Sequence, residues 1–150
     1  MRIVIAADHN GVSLKSHLGE WLTSQGHEVE DRGTFGAEVV DYPPLCADVA
    51  EWILSGRAER GIVIGGTGGG EAIACNKIRG IRAGLCHSVF LAEVSSGHNN
   101  TNVLVLGAKV IDAEEAVAIT NAWLTTPFKG GRHQQRLDQI AALERGEALV

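Results

Sequence analysis

Three short apolar runs constrain the fold more than any other feature of this chain. They are Ile3-Val4-Ile5-Ala6-Ala7, Ile62-Val63-Ile64 and Val103-Leu104-Val105-Leu106. None alternates with polar residues, so each reads as a strand buried on both faces. Each stops at a turn-forming or polar residue: Asp8, Gly65 and Gly107. Residues 28–31 and 82–86 are weaker candidates of the same kind. Between them lie helical periods. Leu14, Leu18, Trp21 and Leu22 share one face and lead to Gly26, where a C-terminal cap is expected. Leu45, Val49, Ala50 and Ile53 form a second stripe ended by Gly56. A third helix is predicted from Gly70 or Glu71 to near Gly80, and a fourth over about residues 89–96. A fifth opens at Asp112, with Glu115 at capping-box spacing, and runs to Leu124. A last one, about 133–144, is predicted to bury Leu137, Ile140 and Ala141 and to stop at Gly146.

That alternation predicts an α/β chain: a three-layer α/β/α, Rossmann-like fold with a five-stranded parallel sheet and helices on both faces. No repeat, low-complexity tract or linker interrupts the 150 residues, so one domain over 1–150 is expected. Apolar residues at 45% and charged residues at 21% exclude a disordered chain. The apolar runs are far too short to span a membrane, and the N-terminal one is too short for a signal peptide, so a cytoplasmic protein is expected. A net charge of −5 argues against a nucleic-acid partner. Cys46, Cys75 and Cys86 are odd in number and widely spaced, which predicts free buried thiols and no zinc site.

In parallel sheets, ligands bind beyond the carboxyl ends of the strands. The strongest signal there is Gly65-Gly66-Thr67-Gly68-Gly69-Gly70-Glu71, a strand end leading into a helix. Such a loop brings backbone N–H groups close to a ligand, and the helix N-terminus adds partial positive charge. It favours an anion, either a bound phosphate or a developing oxyanion. The lysine of a P-loop is missing, and G-x-G-x-x-G fails because the register from Gly66 ends in Glu71. Glu71 either complements the helix dipole or acts as a general base beside the anion hole. Asp8 ends the first strand as a candidate helix cap, and His9 can bond a sugar hydroxyl or a phosphate. In Gly97-His98-Asn99-Asn100-Thr101-Asn102, the asparagines are either turn residues or include an amide donor at Asn99, beside His98 as a proton donor. Lys129, Arg132, His133 and Arg136 crowd together near the C-terminus. Arg132 and Arg136 are four apart, so on a helix both guanidiniums lie on one face, which suits a phosphate.

Taken together, the chain resembles the sugar-phosphate isomerases of the type B ribose-5-phosphate isomerase family, which also includes galactose-6-phosphate isomerase subunits. The resemblance rests on Asp8-His9 with Gly11, Asp41-Tyr42-Pro43, Gly66-Thr67-Gly68, Asn76-Lys77, Gly80-Ile81-Arg82-Ala83, His98-Asn99, Asn102-Val103-Leu104 and Gly130-Gly131-Arg132-His133-Gln134-Gln135-Arg136. It implies reversible aldose–ketose isomerisation of a phosphorylated sugar through a cis-enediolate, without metal or cofactor. The expected reaction is ribose 5-phosphate to ribulose 5-phosphate, in the pentose phosphate pathway. Some members carry a cysteine base at the position of Gly65. This chain resembles the subgroup with a glutamate where Glu71 stands, and burial beside Ile73 and Ala74 is expected to raise that carboxyl's pKa. Cys75 is not a candidate base. By resemblance, His98 assists ring opening, and Thr67, Asn99 and the amides of Gly66, Gly68, Gly69 and Gly70 hold the enediolate. Asp8, His9 and Tyr42 contact the sugar, and Arg132, Arg136 and Lys109 the phosphate.

Members often carry arginine where Lys109 stands. Lysine keeps the charge without the bidentate fork, so an allose or galactose 6-phosphate, or a tetrulose phosphate, stays open as substrate. His98 precedes the last strand, which puts it at the opposite edge of the sheet from the glycine loop. The resemblance implies a homodimer, or a tetramer, with active sites shared between subunits, so His98 and Asn99 are expected to act across an interface. Two other readings compete. One is a non-catalytic phosphate- or nucleotide-binding regulatory module on the same scaffold. The other is a degenerate subunit needing an unlike partner, against which stand both Glu71 and His98.

Overall fold

A computed structural model describes residues 1–149. Its elements alternate as the pattern requires. They are β1 (Arg2–Ala7), α1 (Val12–Ser24), β2 (Glu28–Asp31), α2 (Tyr42–Leu54), β3 (Arg60–Gly65), α3 (Gly69–Asn76), β4 (Ala83–Leu85), α4 (Val89–Gly97), β5 (Val103–Gly107), α5 (Ala113–Thr125) and α6 (Arg132–Glu144). The five strands form one parallel sheet in the order β2-β1-β3-β5-β4.

Successive strand residues point to opposite faces, and both faces are buried. Ile3, Ile5, Ile62, Ile64, Leu104 and Leu106 pack against Leu18 and Leu22 of α1, Ala92 of α4 and Trp123 of α5. Val4, Ala6, Val63 and Val105 pack against Val49 and Ala50 of α2 and Cys75 of α3. This two-sided burial is why the strands read as unbroken apolar runs. Asp112 Oδ1 accepts the Glu115 N–H at 2.8 Å and Glu115 Oε2 accepts the Asp112 N–H at 2.9 Å, so α5 opens on the expected capping box. The three cysteines are free and buried. Among the described residues, no helix is long and apolar enough to cross a membrane.

Four expectations need correction. The stripe from Leu45 starts late: α2 opens at Tyr42 and takes Pro43 and Pro44 in its first turn, where missing N–H groups cost nothing. Helix α3 ends at Asn76 instead of near Gly80, because the Asn76 amide pairs with the Ala83 backbone, Nδ2 to O at 3.0 Å and N to Oδ1 at 2.9 Å. In α6, Leu137 is buried but Ile140 stays 50% exposed. Finally, β5 is not an edge strand. It lies between β3 and β4, so His98 and the glycine loop are separated along the strands and not across the sheet.

Candidate active site

The glycine loop links the carboxyl end of β3 to α3, and its glycines have separate reasons. Gly68 caps α3 with φ +81, a left-handed conformation that side chains resist. At Gly65, a Cβ would overlap the carboxylate of Glu71. One turn of α3 therefore folds Glu71 back onto the strand end, and its carboxylate fills the space a side chain at position 65 would occupy. The two positions serve the same point in space.

Glu71 is buried, only 4% exposed. Its carboxyl is pushed above the ordinary carboxylate range, first by burial and then by the charge of Asp8, against an opposing backbone hydrogen bond. The burial does not come from Ile73, which is 66% exposed on the outer face of α3. It comes from the seat on Gly65 and the neighbouring strand end. Asp8 is itself buried, and its N–H donates to Ile64 O at 3.0 Å, which ties β1 to β3 beside the loop. Asp8 does not cap α1, whose N-cap is Gly11. Its carboxylate instead accepts the backbone and side-chain N–H groups of Asn10, at 2.8 and 3.0 Å. Tyr42, at the start of α2, lays its ring over Gly70 so closely that a Cβ there would strike the phenol.

The rest of this end of the sheet is polar. His9 Nδ1 accepts the Val40 N–H at 3.4 Å, and its Nε2 lies 3.4 Å from Asn10 Nδ2. The exposed Lys109 follows β5, its N–H donating to Gly66 O at 2.9 Å. Thr67 crosses Gly107 so tightly that a Cβ on that glycine would lie 2.6 Å from Thr67 O. His87 Nε2 lies 3.2 Å from the same oxygen. The first N–H groups of α3 have no intrahelical partners, and Gly69 N–H reaches only Thr67 Oγ1, at 3.4 Å. A buried carboxylate, an electropositive helix start and ringed hydroxyl and imidazole groups can together move a proton and hold an oxyanion.

The remaining predicted residues gather elsewhere. His98 caps the C-terminus of α4, at the amino end of β5. Gly61 pairs with Val103 and Gly65 with Gly107, so about 13 Å of strand separates that end from the glycine loop. His98 stacks on His133, with ring centroids 4.1 Å apart and planes 17° apart. Arg132 and Arg136 are exposed on the first turns of α6. His133 is held below the ordinary histidine range by desolvation, then by His98, Arg132, Arg136 and Lys129. Arg82 clamps the loop carrying His98 and Asn99: its Nε donates to Asn99 O at 3.2 Å and its Nη2 to Asn100 O at 2.7 Å. The structure thus brings together Asp8, His9, Tyr42, Gly66 to Gly70, Thr67, Glu71 and Lys109. It brings together His98, Asn99, Arg132 and Arg136 in a second group, and it does not join the two groups within one chain. Asn10, His87 and Arg82 were not predicted. The first two adjoin strand ends, and that position was the available signal.

The chain matches the family model described as Ribose/Galactose Isomerase over residues 3–140. It is 43% identical over 144 residues to ribose-5-phosphate isomerase B of Escherichia coli, covering 96% of this chain and 97% of that protein. The structure superposes on Clostridium thermocellum ribose-5-phosphate isomerase B with a TM-score of 0.96 at 44% identity, covering 97% and 99% of the two chains. It also superposes on the Mycoplasma genitalium ribose-5-phosphate isomerase B, solved with bound ribulose 5-phosphate, with a TM-score of 0.91 at 36% identity and 96% coverage of each.

Proposed function

Because the chain belongs to the ribose/galactose isomerase family, an aldose–ketose isomerase family acting on sugar phosphates, we propose that it interconverts ribose 5-phosphate and ribulose 5-phosphate with Glu71 as the base. Glu71 takes the proton from C2 of the open-chain aldose. The electron pair forms the C1–C2 double bond, and O1 carries the negative charge of a cis-enediolate. The O2 hydroxyl proton passes to O1, and the same carboxyl returns the carbon-bound proton to C1 as the carbonyl forms at C2. Thr67, Asn99 and the amides of Gly66, Gly68, Gly69 and Gly70 stabilise the enediolate oxygens, where preorganised donors act most strongly. Asp8, His9 and Tyr42 bind the sugar hydroxyls.

The single observation that carries this reading is the buried Glu71 carboxylate seated on Gly65 at the mouth of the glycine loop. A base for a sugar C–H works best with its pKa nearer the operating pH, and burial moves Glu71 in that direction. His98, Asn99, Arg132 and Arg136 then come from a second copy in a homodimer, His98 for ring opening and the arginines for the phosphate, with Lys109 beside them. The exposure of Ile73 on α3, and of Ile140 at 50% and Leu143 at 58% on α6, supports a second copy covering these faces.

Ribose 5-phosphate incubated with the protein in deuterated water and followed by proton NMR is expected to yield ribulose 5-phosphate with exchange at the transferred hydrogen. Exchange without net conversion redirects the reading to a four- or six-carbon phosphate. Stabilisation by ATP and not by ribose 5-phosphate, with no exchange on any sugar phosphate, replaces it with the regulatory module. Asp8→Asn is expected to move the acid limb of the pH–rate profile downward. Asp8 raises the Glu71 pKa, so its neutral isostere lets the base ionise at lower pH. Because burial is the larger cause, the limb stays above that of a free carboxylate.

A further inference from the structure

The segment that follows α5 is stitched to the end of α4. Ser96 Oγ donates to Thr126 O at 2.7 Å, and Lys129 N–H donates to Gly97 O at 3.0 Å. Gly97 permits that approach, since a Cβ there would lie 3.3 Å from Thr126 Cγ2 and 3.6 Å from Lys129 Cε. The result delivers the Lys129 side chain to His98, with Nζ 3.3 Å from the imidazole Nε2. His133 stacks on the face of the same ring. The ring is thus fixed on one face and at one nitrogen by residues that no part of the proposed reaction uses.

An ammonium is a donor only, with no lone pair to accept. In this contact Nε2 must therefore be the acceptor, and the ring proton must sit on Nδ1. We infer that Lys129 is a positioning residue, which holds His98 as the Nδ1–H tautomer so that Nδ1 faces the sugar as the proton donor for ring opening. This rests on the proposed role of His98. In the step it serves, the furanose C1–O4 bond breaks, and its electron pair and the Nδ1 proton go to O4. The anomeric hydroxyl proton passes to the vacated Nδ1 as the C1–O1 double bond forms. The imidazole ends neutral and in the same tautomer.

Ring chemistry separates this role from a structural one. Ribose 5-phosphate closes to a furanose. Ribulose 5-phosphate does not, because its 5-hydroxyl is esterified, so hydrogen exchange at its C1 needs no ring step. Lys129→Met, similar in length but without the donor, is expected to lower net conversion of ribose 5-phosphate about tenfold, the size of one charged hydrogen bond. Exchange of solvent deuterium into ribulose 5-phosphate is expected to stay within about twofold of the parent. Lys129→Arg, which restores a donor, is expected to recover most of the conversion. His98→Asn must show the same split, more deeply. Equal losses of conversion and exchange in Lys129→Met, or no loss in either, overturn the inference while His98→Asn still splits them. If His98→Asn does not split them, the role of His98 fails first. If the parent shows no exchange with ribulose 5-phosphate, the proposed substrate fails.

Discussion

Glu71→Gln is expected to lower turnover of ribose 5-phosphate by about a thousandfold, within the range typical of lost general acid–base catalysis. Both net conversion and hydrogen exchange should fall together, because both need the same proton abstraction. The variant is also expected to be the more stable protein at neutral pH. Burial raises the folded-state pKa of Glu71, so the folded chain holds that proton more tightly than the unfolded one. Stability therefore falls as pH rises from the unfolded to the folded value, and stays lower above it. Glutamine carries no charge to desolvate. Thermal melts should place the variant above the parent at pH 7, with the gap closing as pH drops below the ordinary carboxylate range. A variant that loses activity and stability together would mean that Glu71 is structural.

Gly65→Ala is expected to cost about a hundredfold in turnover with a modest loss of stability. The new methyl takes the place of the Glu71 carboxylate. A carboxylate at the end of a flexible side chain can swing aside, so the chain still folds, but the carboxyl leaves the place from which the proposed proton transfer is made. A displacement of this kind, about 1 Å, is enough for an effect of that size. Gly107→Ala is the contrast. Its Cβ would meet the Thr67 backbone, with O at 2.6 Å and Cα at 3.0 Å, and backbone in a packed loop cannot yield in the same way. That variant should lose about 1–3 kcal/mol of stability, measured by denaturant melts. Equal behaviour of the two glycine variants would contradict the distinction drawn between the two contacts.

What was legible in the sequence follows the range of the forces involved. The capping box at Asp112 and Glu115 is a contact between residues three apart, so the spacing alone reveals it. The strands β1, β3 and β5 announce themselves because both faces of the sheet are covered. The glycine loop and Glu71 form one contiguous stretch, and that a carboxyl would adjoin the loop at the start of α3 was readable from it. That the carboxylate sits on Gly65 was not, because it depends on how α3 turns back over its own strand. The place of His98 was half readable. Its distance from Glu71 followed from preceding a strand, but strand order is set by packing across the sheet, and β5 went to the middle. Periodicity put Ile140 on the apolar face of α6 without saying what covers that face. The contact of Lys129 with His98, 31 residues apart, depends on the closure of a loop and left no local trace.

In the proposed dimer, a working site takes Glu71 from one copy and His98 from another. Mixing tests it directly. Glu71→Gln and His98→Asn chains, each expected to convert little ribose 5-phosphate alone, are co-expressed or refolded together so that subunits exchange. Random pairing makes half of the dimers mixed, and each mixed dimer carries one intact site out of two, so about a quarter of the parental conversion of ribose 5-phosphate should return. A mixture no more active than its separate components would contradict the account and place Glu71 and His98 of the same chain in one site.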